Sequence, residues 1–79
     1  MWKIEYSQEV RNYIYDSYPY TEAVWKIIKS LRHTPDGQPS THHTEIPPNT
    51  IYWEIADHIV IYERYPEQQR IKINILKPQ

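Results

Sequence analysis

Between Thr50 and Pro78 the chain reads TIYWEIADHIVIYERYPEQQRIKINILKP, three β-type runs parted by two short polar breaks. Ile51–Ile55, Ile59–Tyr62 and Arg70–Leu76 are dense in β-branched and aromatic side chains, which fill a pleated, half-buried surface well. Breaks this short leave no room for a crossover, so the runs are expected to pair antiparallel as a meander. Along the last run, alternation puts Arg70, Lys72 and Asn74 on one face and Ile71, Ile73 and Ile75 on the other.

Upstream, Trp2-Lys-Ile-Glu-Tyr6 alternates apolar and charged residues and predicts a strand with Trp2, Ile4 and Tyr6 on one face. Ser7 is placed to cap a short helix that runs to about Asp16, and Pro19 disfavours helix at Tyr18. Thr21 is the next expected cap. Behind it Val24, Ile27, Ile28 and Leu31 form a helical stripe that predicts a second helix ending near Arg32. Residues 33–49 are polar, hold the only Gly and four of the seven Pro, and read as a long connection of the kind that is functional or mobile. Pro35-Asp-Gly37 is a turn signal in it, and Pro47-Pro48 a stiff extended lead into the meander. The expected fold is a single α+β domain over 1–79, in the order β-α-α-β-β-β. Its two helices pack on a four-stranded, mainly antiparallel sheet, and the first strand lies beside a meander strand.

A chain of 79 residues buries only about 60–65% of its unfolded surface. It has no Cys to form a disulfide or a thiolate metal site and no Phe. Eight Tyr and three Trp must supply much of the core, and their polar tips need partners. Nine basic against ten acidic residues give a formal charge of −1, which argues against a strongly electrostatic nucleic-acid binder. No apolar run has the length of a membrane span and the N-terminus lacks a signal-peptide layout, so a soluble cytoplasmic protein is expected.

The opening WKIEYSQEV, the helix AVWKIIKSLRHTP, a loop with a Gly and the two hairpins of YWEIADHIVIYERYPEQQRIKINIL follow one another in an order that resembles the RelE/ParE toxin superfamily of bacterial toxin–antitoxin systems. The resemblance covers nearly the whole chain through loose motifs. It implies a small sheet curved around two helices, bound by a partner antitoxin, and an action on ribosome-bound mRNA (RelE-like) or on DNA gyrase (ParE-like). RelE-like members place basic residues on the first two meander strands and at the end of the last. Here Tyr52, Glu54 and Ile59 stand at those positions, only Lys77 matches, and the C-terminal Tyr that RelE-like members often carry has no counterpart. A carboxylate at Glu54 would repel a substrate phosphate. The resemblance thus implies a divergent or catalytically weakened family member that works with a protein partner. The alternatives are an interaction module that kept the fold without catalysis, and an RNase with a different basic site.

Such an RNase would need general acid–base groups and cations around the phosphate. The candidates are Arg70 and Lys72 on the last strand, Lys77 just beyond it, Arg64, and His58 beside Asp57 in the first meander turn. Glu54 and Glu63 on neighbouring strands are placed to pair with these cations. Lys26, Lys29 and Arg32 form a basic helix face suited to RNA or an acidic partner. Tyr13, Tyr15, Tyr18 and Tyr20 cluster at the helix-to-helix break, as at a protein interface. His42 and His43 are adjacent on a loop and His33 lies apart, a spacing unsuited to a shared metal. No metal site and no cofactor are expected.

Overall fold

The computed structural model describes residues Met1–Gln79. Strand β1 (Lys3–Tyr6) leads into helix α1 (Gln8–Asp16), then α2 (Glu22–Lys29), which tightens into a 3₁₀ turn over Ser30–His33. Strands β2 (His43–Ile46), β3 (Thr50–Ile55), β4 (His58–Tyr65) and β5 (Arg70–Pro78) complete one five-stranded mixed sheet in the order β1-β5-β4-β3-β2. The α+β class and the two helices stand as expected, whereas the sheet has five strands rather than four. The added strand, β2, lies inside the connection read as irregular. It pairs antiparallel with β3, His43 opposite Trp53 and Ile46 opposite Thr50. Pro47 and Pro48 therefore form the turn of a hairpin, not an extended lead, and the peptide between them is cis.

The meander pairs antiparallel throughout, and β1 pairs parallel with β5, as two intervening helices permit. Val10, Val24, Ile28 and Leu31 from the helical side pack on Ile51, Trp53, Val60, Tyr62, Ile71, Ile73 and Leu76 from the sheet. Both helices thus contribute to one face of the sheet, and the other face has no helix on it.

The alternation read for the last strand fails at one point. The register slips between the pairs Ile61–Ile75 and Tyr62–Ile73, which leaves Asn74 as an extra residue in β5. Such a bulge reverses side-chain polarity beyond it. Ile75, expected in the core, is 41% exposed, and Leu76 takes the inward place at 6%. Ser7 ties this bulge to the start of α1. Its hydroxyl accepts from the Val10 N–H (3.2 Å) and donates to the Asn74 carbonyl (3.3 Å). Thr21 does not cap α2; its hydroxyl donates back to the Ile14 carbonyl at 2.8 Å and is fully buried.

The connection from Thr34 to Thr41 is drawn onto the core by Gly37. Its carbonyl accepts the fully buried Tyr62 hydroxyl (2.8 Å) and its φ is +75°. A Cβ there would stand 3.1 Å from the Trp2 ring, closer than packed carbons normally sit. Gly37→Ala combines that crowding with a left-handed backbone. It is expected to cost at least about 1–2 kcal/mol in urea denaturation, and an unchanged midpoint would show that the loop does not depend on this conformation.

Candidate functional site

The cations picked out from the sequence fall on opposite faces of the sheet. Arg70 and Lys72 lie on the helix-free face, Arg70 opposite Tyr65 and Lys72 opposite Glu63, and Lys77 pairs with Ile59 on the same face. Arg64 pairs with Ile71, and His58 with Ile55, which puts both on the helix side. The five residues therefore do not converge on one point.

Most of them have partners within the chain. Arg70 donates to the Glu5 carboxylate of β1 at 2.6 Å and to Gln68 Oε1 at 2.9 Å, and its guanidinium lies 4.0 Å from the Tyr65 ring. The expected carboxylate partners, Glu54 and Glu63, instead accept from Gln79 (2.6 Å) and Asn74 (2.9 Å). Arg64 holds the connecting segment in place, donating to the Asp36 carbonyl (3.0 Å), Glu45 (3.2 Å) and Asn49 (3.4 Å). The Arg64 side chain alone thus binds residues 36–49 to β4 at three points. Lys72 and Lys77 are exposed and form no ion pair.

His58 is not an exposed turn residue. The turn is Ala56–Asp57, with φ of +52° and +59°, and His58 opens β4 fully buried. Its Nδ1–H donates to the Ala56 carbonyl at 2.8 Å, since a carbonyl can only accept. Nε2 is then the acceptor for the Tyr13 hydroxyl at 2.8 Å, and Tyr20 tilts over the ring with centroids 5.0 Å apart. Tyr13 is thus tied to the interior while Tyr20 covers the ring from the surface, and burial raises the Tyr13 phenol above its ordinary value. Tyr15, Tyr18 and Tyr20 remain outward, at 86%, 60% and 55% exposed. His58→Ala strands the Tyr13 hydroxyl and the Ala56 carbonyl and opens a cavity. It is expected to lose about 2–3 kcal/mol of stability in chemical denaturation; a loss under 0.5 kcal/mol would mean that water replaces both bonds.

On α2, Lys26 pairs with Glu22 at 3.2 Å, and Lys29 sits 4.1 Å above the Trp25 ring. Arg32 makes one weak contact, 3.5 Å to Met1 Sδ. Between this helix side and β1 runs a groove of about 480 Å³ lined by Trp2, Ile4, Tyr6 and Trp25, with Lys29 and Arg32 at its rim. A second hollow of about 430 Å³ lies between Ile14, Tyr15, Tyr18 and the same Trp25. The helix-free face carries an apolar row in register across four strands, Thr44, Tyr52, Ile61 and Ile75, with Ile59 and Ile46 beside it. Burial raises the Tyr52 phenol, with the neighbouring Glu54 charge adding to it.

His33 and His42 are exposed, and His43 lies in β2 rather than in a loop. No helix is long and apolar enough to cross a membrane. Comparison of the chain with protein-family models, curated proteins and solved structures finds no match in any of the three.

The hydrogen bond from Arg70 holds the Glu5 carboxyl below its ordinary value of 4.5. A lowered folded value stabilises above the unfolded one, and that stability is lost as pH falls through the folded value. The melting-temperature gap between the parent and Glu5→Gln is therefore expected to be full at neutral pH and to close below pH 4.5. A gap that stays constant would show that the ion pair is not linked to folding.

Proposed function

We propose that this chain is a RelE/ParE-like domain that acts in a toxin–antitoxin pair by binding protein, with its nuclease chemistry weakened or lost. The order of elements, with both helices on one face of a sheet whose first and last strands are neighbours, supports the family reading. One observation carries the functional part. The helix-free face, where RelE-like members hold their cations, bears an apolar row of Tyr52, Ile61 and Ile75 running through Thr44. Its charges are of both signs, and its best-placed cation, Arg70, is paired with Glu5. Phosphate recognition calls for an excess of free cations, whereas a desolvated apolar centre with a mixed polar rim is the make-up of a protein interface. A second reading rests on Lys72 and Lys77, which have no ion-pair partner on that same face. They would be the phosphate-binding residues of an RNase.

The test separates the two. The chain is produced with the small protein encoded beside it, and capture is measured together with mRNA cleavage on translating ribosomes. Expected are co-purification, a loss of capture of at least tenfold in Ile61→Glu with an unchanged circular dichroism spectrum, and no cleavage. Cleavage that disappears in Lys72→Ala/Lys77→Ala would establish the nuclease instead. Failure to capture the neighbouring protein, with growth unaffected by the chain alone, would sink the toxin–antitoxin reading.

A further inference from the structure

Strand β1 is an edge of the sheet, and its outer side is unpaired. The Lys3 and Ser7 N–H groups donate inward, to the Gln69 and Ile73 carbonyls along β5. Alternation then turns the main-chain groups of Ile4 and Tyr6 outward. The Trp2 N–H, also outward, is taken up by the Arg32 carbonyl at 3.0 Å, but the N–H and C=O of Ile4 and Tyr6 have no hydrogen-bond partner in the chain. An unpaired edge normally invites association and is blunted or covered. Here it opens into the groove bounded by Trp25, Lys29 and Arg32, and no carboxylate lines that groove.

We infer that this groove takes an extended, acidic peptide segment of a partner protein, added as a sixth strand beside β1. Three features define the occupant. The free donors and acceptors of Ile4 and Tyr6 call for a β-strand backbone, which gains affinity from main-chain bonds without regard to sequence. The cations Lys29 and Arg32, with Lys3 also lining the groove, call for carboxylates. Trp25 lines both this groove and the apolar hollow of Ile14, Tyr15 and Tyr18, so the segment carries an apolar side chain where it leaves β1 at the Tyr6 end. Single-stranded nucleic acid fits less well. Base stacking needs an open aromatic face, whereas a face of Trp25 is already occupied by the Lys29 ammonium at 4.1 Å. Lys26, the next cation on the helix, is neutralised by Glu22. This site is separate from the helix-free face and does not depend on what binds there.

The probe is a fluorescein-labelled hexapeptide of alternating glutamate and valine that ends in leucine, titrated into the whole chain. It is expected to bind saturably and to slow hydrogen exchange of the Ile4 and Tyr6 amides. Affinity is expected to fall at least tenfold for the lysine–valine counterpart, and at least tenfold when alternate amides on one edge of the peptide, but not on the other, are N-methylated. Lys29→Glu/Arg32→Glu, two exposed changes, are expected to weaken it at least fivefold while the melting temperature holds. No saturable binding of the acidic peptide, equal binding of the lysine peptide, or indifference to N-methylation on both edges would overturn the proposal. Octauridine that protects the same amides and loses affinity in Lys29→Glu/Arg32→Glu would assign the groove to nucleic acid and overturn it equally.

Discussion

The hydroxyl of Tyr62 is buried at the centre of this domain, and its hydrogen-bond partner there is the carbonyl of Gly37. A core built without Phe brings a polar tip wherever it brings a large ring, and a buried tip left unpaired costs about 1–3 kcal/mol. Satisfying Tyr62 draws the polar connection inward and seats Gly37 against the Trp2 ring. Burial also pushes the Tyr62 phenol far above its ordinary value, so it stays a donor at any ordinary pH. The same demand explains His58, whose ring nitrogens are both engaged. It is not met everywhere. The indole N–H groups of Trp2 and Trp53 are buried without an acceptor, as is Nε of Arg64.

The charged residues follow a related economy. Arg64 binds the connection to β4, and Arg70 joins β1 to the strand beside it. Exposed ion pairs contribute little on their own, but these two link segments distant in sequence, and both are partly shielded from solvent. Apart from Lys3 on β1 and Arg11 on α1, the cations without an ion pair lie in two places. Lys72 and Lys77 stand at the margins of an apolar sheet face, and Arg32 stands with Lys29 over the groove beside β1. The domain thus offers two chemically different surfaces on its two sides.

The meander was legible because strong β-formers alternate around breaks too short for anything but hairpins. The parity of β4 also contained the place of Arg64 and His58. Both share the phase of Val60 and Tyr62, so an alternation count carried two residues further in each direction puts them on the core side. β2 was not legible. His43-Thr-Glu-Ile46 holds one strong β-former among polar residues, and its extended state comes from pairing with β3. The bulge at Asn74 was hidden for another reason. Alternation assumes a constant register, and only the adjacent pair Ile75-Leu76 hints that the inward phase changes there. The grooves at Trp25 are contacts between elements, which no single run of sequence expresses.

The parallel pairing of β1 with β5 has a consequence for how the domain forms. Ser7 and Asn74, which meet at the bulge, are 67 positions apart. Within this domain β1 must therefore wait for β5 before it has a strand beside it. Closing so long a loop precedes the contacts that reward it, which slows folding relative to local pairings. Until β5 arrives, both edges of β1 are bare, and Trp2, Ile4 and Tyr6 have no sheet to lie on. The nascent domain therefore passes through a stage in which its N-terminal strand is its most adhesive part, open to chaperones and to self-association alike.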